Sequence, residues 1–394
     1  MAWTLDSVLD RLTTELDSVM QFWLQHSHDK QFGGFLHCLS REGKVFDTVK
    51  YGWMVCRQVW MYAKLYNSLE RYHTAEVLEA AKAGIEFILQ HVKVSGEQRC
   101  YFMVSREGNP VKLQRKPFTE CFYTMALAEL ARATGTNHYM EAAEKMLGQL
   151  IQWIMVDSSS LGSGYLTRGT SELGRPMMLL NVLQEVCGND TTKRKQYEKE
   201  ISWSIQKIQT HLQRDKKWIC ENVSDDASEL PGSGGRLMTP GHAIEAGWML
   251  LTEAQQQDLP DLKKIAIEDF IMTPLNAGWD KEHGGIFYFL DVDGHDPTQL
   301  EWNMKLWWVH NETLISLLMV YQVTRDDAIW KRFCEVLDYT LKHFPDPQHG
   351  EWYGYLTREG HINQKFKGGP FKGCYHVPRC LLMCHTMLET LLKK

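Results

Sequence analysis

LWWVHNETLISLL, residues 306–318, is a run of apolar and aromatic residues interrupted at Glu312. Five other segments repeat the pattern. They are WMVCRQVWMY (53–62) with Arg57, PFTECFYTMAL (117–127) with Glu120, PMMLLNVLQ (176–184) with Asn181, PGHAIEAGWML (240–250) with Glu245 and YHVPRCLLM (375–383) with Arg379. The successive gaps between the interrupting residues are 63, 61, 64, 67 and 67 positions, by subtraction of their numbers. A period of this length suits a unit of two helices and their connections. Any one of these residues alone could be a core polar group with a local partner, as buried polar groups normally have. Six in register instead imply a ring of helices around a shared polar centre.

Working outward, the segments between the apolar helices form a second repeat. LHCLSREGKVF (36–46), YFMVSREGNPV (101–111), YLTRG (165–169), FYFLDVDGHD (287–296) and YGYLTREGHI (353–362) pair β-prone residues with a Gly-containing turn, which predicts hairpins. A degenerate copy lies at WICENVSDD (218–226), and HDKQFGGF (28–35), WDKEHGGIF (279–287) and PDPQHGEWY (345–353) are three related lead-ins. The expectation is an all-α toroid of six helix-pair repeats with short β-hairpins in its connections. Because no Pro/Ser-rich or charged tract divides the chain, residues 1–394 read as one catalytic domain.

Composition narrows the function. A hydrophobic fraction of 44% with 14 tryptophans supplies a large core, while the longest apolar runs fall short of the roughly 20 residues that cross a bilayer. The N-terminal MAWTLDSVLDRLTTELDSVMQFWLQ reads as an amphipathic helix rather than a secretory leader. Ten cysteines without zinc-ligand spacing, several inside apolar helices, predict reduced thiols and a cytoplasmic protein. The sequons at Asn189, Asn222 and Asn311 carry no weight in that compartment. A net charge of -6 with no Lys/Arg cluster leaves no footprint for nucleic acid. Small-molecule chemistry is the expectation.

Two histidines are placed for it. In Thr239-Pro240-Gly241-His242, Thr is a good N-cap and Pro a good first helical residue, so His242 falls in a first turn. Pro378 likewise starts a helix with His376 at its mouth. Positive helix ends favour neutral imidazole, which can accept a proton near pH 7. Glu245 shares the face of His242 and could orient the ring or hold a substrate hydroxyl. Arg57 lies on one face with Trp53 and Trp60, where it either binds a sugar oxygen or pairs with Glu120 or Glu312. Glu301, Lys305, Trp307 and Trp308 crowd the approach to Glu312, donors and ring faces that a sugar would need. KGGPFKGCYH (367–376) lacks the Lys-Ser/Thr of a P-loop and reads as a loop. His26, His28 and Asp29 belong to a turn lead-in, so no metal site is expected.

RQVWMY (57–62), ECFYTMA (120–126), PGHAIEAGW (240–248), GWDKEHGGIFYF (278–289), PTQLEWNMKLWW (297–308) and KGGPFKGCYHVPRC (367–380) together resemble the N-acylglucosamine 2-epimerase family, in particular its animal members. The resemblance spans essentially the whole chain. It implies an (α/α)6 barrel and reversible inversion at C2 between N-acetyl-D-glucosamine and N-acetyl-D-mannosamine. It further implies an acid/base pair at His242 and His376, an essential arginine at Arg57, and pocket positions at Glu245, Glu312 and Arg379. Asn181 falls where relatives vary. Glu120, Lys305 and Trp308 complete the candidate substrate-binding set. The resemblance also implies a homodimer activated by ATP or a related nucleotide without consuming it, and it puts renin among the candidate partners. The competing readings are an epimerase or aldose-ketose isomerase of another free sugar, a glycoside hydrolase using carboxyls from Glu120, Glu245 and Glu312, and a non-catalytic protease-binding scaffold.

Overall fold

A computed structural model describes residues 3–161 and 169–393. Among them, twelve helices carry the architecture: α1 (Leu5–His26), α2 (Gly52–Ser68), α3 (Ala75–Phe87), α4 (Phe118–Thr134), α5 (Asn137–Ile151), α6 (Gly174–Cys187), α7 (Glu198–Gln209), α8 (Pro240–Gln256), α9 (Pro260–Ile265), α10 (Trp307–Thr324), α11 (Asp327–His343) and α12 (His376–Leu392). The even-numbered helices form an inner ring in which each touches the next and α12 closes on α2. Each odd-numbered helix packs outside, α1 on α12 and the others on the inner helix before them. This is the (α/α)6 barrel that the six-fold period predicts.

The two layers follow from side-chain periodicity. On α1, Val8, Leu12, Leu16, Val19 and Trp23 recur every three or four residues and are buried, while the opposite face is polar. Its start is fixed by a capping box in which Thr4 and Ser7 satisfy each other's backbone amides. Inner helices are enclosed over most of their length, α10 most fully: every residue from Trp307 to Val320 is buried. Each large apolar side chain enclosed between the layers stabilises the ring by about 1.5–3 kcal/mol.

The connections hold short antiparallel ladders, and three of the six predicted hairpins form as expected. Cys38–Leu39 pairs with Val45–Asp47, Met103–Val104 with Pro110–Lys112, and Tyr355–Leu356 with Ile362–Gln364. Two do not close on themselves. Leu290–Asp291 pairs with Leu237–Met238, while Trp218–Ile219 and Asn222–Ser224 pair with Leu212–Gln213 and Thr170–Glu172. A Gly turn set the expectation at 287–296; there, and at Asn222–Ser224, the strands pair across two connections of the ring instead, while Trp218–Ile219 pairs within its own connection. Of the segment 165–169, residues 165–168 lie outside the described residues.

The three lead-ins build one structure three times. Asp29, Asp280 and Asp346 each close a turn whose glycine donates back to the aspartate carbonyl, at Gly33, Gly284 and Gly350. These glycines have φ of 76°, 73° and 71°, a left-handed conformation that a Cβ disfavours. Each aspartate meets a fully buried lysine, Lys50 at 2.9 Å, Lys305 at 3.0 Å and Lys367 at 3.1 Å. Each also receives an arginine from a neighbouring hairpin, Arg106, Arg358 and Arg41 respectively. Paired twice, the carboxylates sit well below the usual carboxylate range despite their burial.

Candidate active site

The inner helices all present their N-terminal turns to one cavity of about 690 Å³. Trp53 and Arg57 come from α2, Phe118 and Phe122 from α4, Met177 and Asn181 from α6, His242 and Glu245 from α8, Trp307 and Trp308 from α10, and His376 from α12. Glu301 and Tyr288 reach it from a connection. Helix N-termini carry partial positive charge, so a ring of them suits a ligand on which negative charge develops.

His242 is the third residue of α8, after Pro240 at the first position, and His376 opens α12. Both rings pack against the Trp308 indole, with centroids 5.0 and 6.0 Å from it. Each histidine holds a carboxylate through Nδ1: Glu221 Oε1 lies 2.9 Å from His242, and Glu312 Oε1 lies 2.8 Å from His376. An ionised carboxylate only accepts, so Nδ1 carries hydrogen in both and Nε2 is left for the cavity. The sequence suggested Glu245 as the orienting partner of His242. Glu245 instead accepts from Arg379 Nη2 at 3.1 Å, and the same nitrogen lies 2.5 Å from Glu312 Oε1. Trp248 Nε1 donates to the other oxygen of Glu312 at 2.9 Å.

The two histidines differ in charge preference. Burial drives His376 well below the ordinary imidazole value, and the cations Arg57 and Arg379 add to the effect. Burial opposes the charged form of His242 as well, but Glu221, Glu245 and Glu312 outweigh it and raise this ring above its ordinary value. About 35% of the His242 side chain is open, so water softens the burial penalty there. The expectation that helix ends keep both rings neutral holds in direction for His376 alone.

Arg57 forms neither ion pair that its sequence position left open. Its guanidinium lies over the rings of Trp53, Phe122 and Tyr375, at 4.4, 4.2 and 4.6 Å, within cation–π range. Burial lowers its pKa to about 10, so it remains charged at neutral pH. Stacking of this kind uses the faces of the guanidinium and leaves in-plane N–H groups for an oxygen in the cavity.

Four expected residues, Glu120, Lys305, Glu312 and Arg379, do not line the cavity. Glu120 lies between Phe118 and Phe122, which share the inward face of α4 one turn apart. Two residues is about 200° around a helix, which turns Glu120 outward. There it accepts from the Cys100 amide at 2.8 Å, and burial raises its pKa to about 7. Lys305 alternates with Met304 and Leu306, which line the cavity, and so points to the opposite side, where Asp280 holds it. Glu312 and Arg379 stand behind the lining, Glu312 bonded to His376 and Arg379 to both Glu245 and Glu312. The acceptor atoms of Glu245, Glu312 and His376 lie within 4.8 Å of one another, a spacing that could hold a cation. Arg379 already neutralises the two carboxylates.

Sequence reasoning missed Glu221, Tyr375 and Trp248. Glu221 precedes His242 by 21 positions in a connection, and no local spacing links the two. Tyr375, next to His376, could have been read from its place in the apolar run.

Residues 34–380 match the family model described as N-acylglucosamine 2-epimerase (GlcNAc 2-epimerase). The chain is 47% identical to the N-acylglucosamine 2-epimerase of Rattus norvegicus, over 99% of this chain and 94% of that protein. The structure of cellobiose 2-epimerase from Bacillus thermoamylovorans superposes with a TM-score of 0.82 at 19% identity, covering 97% of this chain and 99% of that one. A D-mannose isomerase structure gives 0.82 at 17% identity, covering 97% and 98%. At such identities these two structures bear on the fold.

Proposed function

The chain belongs to the N-acylglucosamine 2-epimerase family, and from that premise we propose that it interconverts N-acetyl-D-glucosamine and N-acetyl-D-mannosamine by proton transfer between His376 and His242. The observation that carries the proposal is the pair of imidazoles packed against Trp308, each tied through Nδ1 to a carboxylate and each lining one cavity.

The C2 hydrogen of the sugar becomes acidic once the ring opens and C1 is a carbonyl. Neutral His376 takes that proton on Nε2, and the electron pair of the C–H bond moves into the carbonyl to give an enediolate-like species. Arg57 faces the developing oxyanion, an interaction of the kind worth about 2.7–4 kcal/mol in a transition state. His242 then gives a proton to the other face of C2 and the carbonyl re-forms with inverted configuration. In the reverse direction the two exchange roles. Asn181, Glu245 and Trp308 contact the sugar in this scheme, while Glu312 and Arg379 set the ring and charge of His376.

One proton leaves C2 and one is delivered to it with no net oxidation or group transfer, so the proposed reaction spends no cofactor. Activation by ATP or a related nucleotide and assembly as a homodimer are carried over from the resemblance, and the ten free thiols support a cytoplasmic setting. The test is product analysis of N-acetylglucosamine, glucose and cellobiose incubated separately with the protein, with and without ATP. N-acetylmannosamine from the first alone supports the proposal; turnover confined to an unacetylated sugar overturns the substrate assignment.

A further inference from the structure

Two histidines with the same carboxylate partnership at Nδ1 have opposite charge preferences, and the difference lies in what each carboxylate meets next. Glu312 is bonded to His376, but its Oε1 is also 2.5 Å from Arg379 Nη2, and its Oε2 takes the Trp248 N–H. Its negative charge is largely spent before it reaches the imidazole. Among the described residues, no lysine or arginine forms an ion pair with Glu221. The groups that act on it most are His242, Thr239 and His211, and His211 is itself held neutral by burial, with a value of about 4. Charged or titratable groups that act on His242 or share its cavity include Glu221, Glu245, Glu312, His376, Arg57, Glu301 and Tyr288. Of the first three, Glu245 and Glu312 share Arg379. Glu245 and Glu312 also favour the charged ring, but only Glu221 among the three bonds it directly, and its charge is not shared with Arg379.

The backbone holds Glu221 for this purpose. Its N–H donates to the Leu237 carbonyl at 2.8 Å, two residues before the N-cap of α8, and its carbonyl accepts from the Leu173 amide at 2.9 Å, at the start of α6. The residue thus bridges the entrances of two inner helices.

We propose that Glu221 is the positioning residue that makes the histidine pair unequal, fixing the His242 ring and placing the single proton of the resting pair there, so that His376 is the neutral member before substrate arrives. The role rests on the epimerase mechanism above, but the charge state it sets is readable without turnover. A single unneutralised carboxylate at hydrogen-bond distance moves an imidazole by about one unit or more.

The test is NMR titration of ¹³C-labelled histidine ring signals in wild-type protein, E221Q and E221D, with His242 assigned by its absence in H242N, alongside the pH profile of kcat/KM. The expected result is a His242 midpoint lower by about one unit or more in E221Q and largely restored in E221D, with the alkaline limb of kcat/KM moving to lower pH by the same amount. Sign follows from linkage: the productive state holds one proton on the pair, and weakening the hold of His242 loses that proton earlier as pH rises. A His242 midpoint unchanged in E221Q overturns the inference, as does an equal loss of activity at every pH. Should wild-type protein not epimerise the sugar, the NMR arm still decides the role of Glu221, so failure of the mechanism and failure of this inference are told apart.

Discussion

Replacing Arg379 by methionine removes one cation from between two carboxylates. The guanidinium is 3% exposed, Glu312 0% and Glu245 10%, so water cannot take over its role. The ligand atoms of Glu245 and Glu312 lie within 4.8 Å, and two unit charges at that separation repel by about 3.5 kcal/mol at an effective dielectric of 20. Breaking a buried pair by deleting one partner costs about 3–5 kcal/mol by the same reasoning. We expect R379M to lose about 3–4 kcal/mol at pH 7.5 in urea unfolding followed by tryptophan fluorescence. The deficit should shrink at pH 5.5. In the variant the facing carboxylates raise one another's affinity for a proton, so the folded state takes one up as pH falls and the repulsion disappears. A loss below about 1 kcal/mol at pH 7.5, or a deficit that widens on acidification, would refute the idea that Arg379 serves chiefly to neutralise this pair.

Glu120→Gln keeps an oxygen for the Cys100 amide and removes a carboxyl whose folded value of about 7 lies above its ordinary one. A raised carboxyl contributes stability at low pH that is lost as pH rises through about 7, so the variant should unfold about 2 kcal/mol harder than wild type at pH 8.5 and match it near pH 4; kcat/KM should stay within about twofold. Lys305→Met should cost about 3 kcal/mol of stability by stranding part of the Asp280 charge, yet leave the KM for sugar unchanged, which steady-state kinetics at 20 °C below the melting point would check. Arg57→Lys replaces a stacked planar donor by a point charge and should lower kcat by about a hundredfold or more with a smaller change in KM.

How much of this was readable in the chain depended on how locally each feature is encoded. Six apolar helices with a single interruption each are a one-dimensional pattern, and the inner ring follows from it directly. His242 and His376 were accessible because Pro240 and Pro378 mark helix starts, and a ring of helices brings such starts to one end. Charge partnership was not accessible. Lys305 and Trp308 stand in one cluster, but strand alternation sends Lys305 to Asp280 while the first turn of α10 carries Trp308 into the cavity. Glu120 fits the period of the interrupting residues and misses the cavity by half a helical turn. Glu221 sits in a connection whose strand partner, Thr170–Glu172, lies about fifty residues earlier, so only the folded ring brings it to His242.

The proposed two-base transfer at C2 is decided by proton NMR of each epimer in D₂O with wild-type protein, H242N and H376N. Wild type should place deuterium at C2 of the product as it forms. H242N should exchange the C2 hydrogen only of the epimer that faces His376, without inversion, and H376N should do so only for the other epimer. Inversion by either single variant, or product formed by wild type with the original C2 hydrogen fully retained at low conversion in D₂O-equilibrated enzyme with slow turnover, would contradict it.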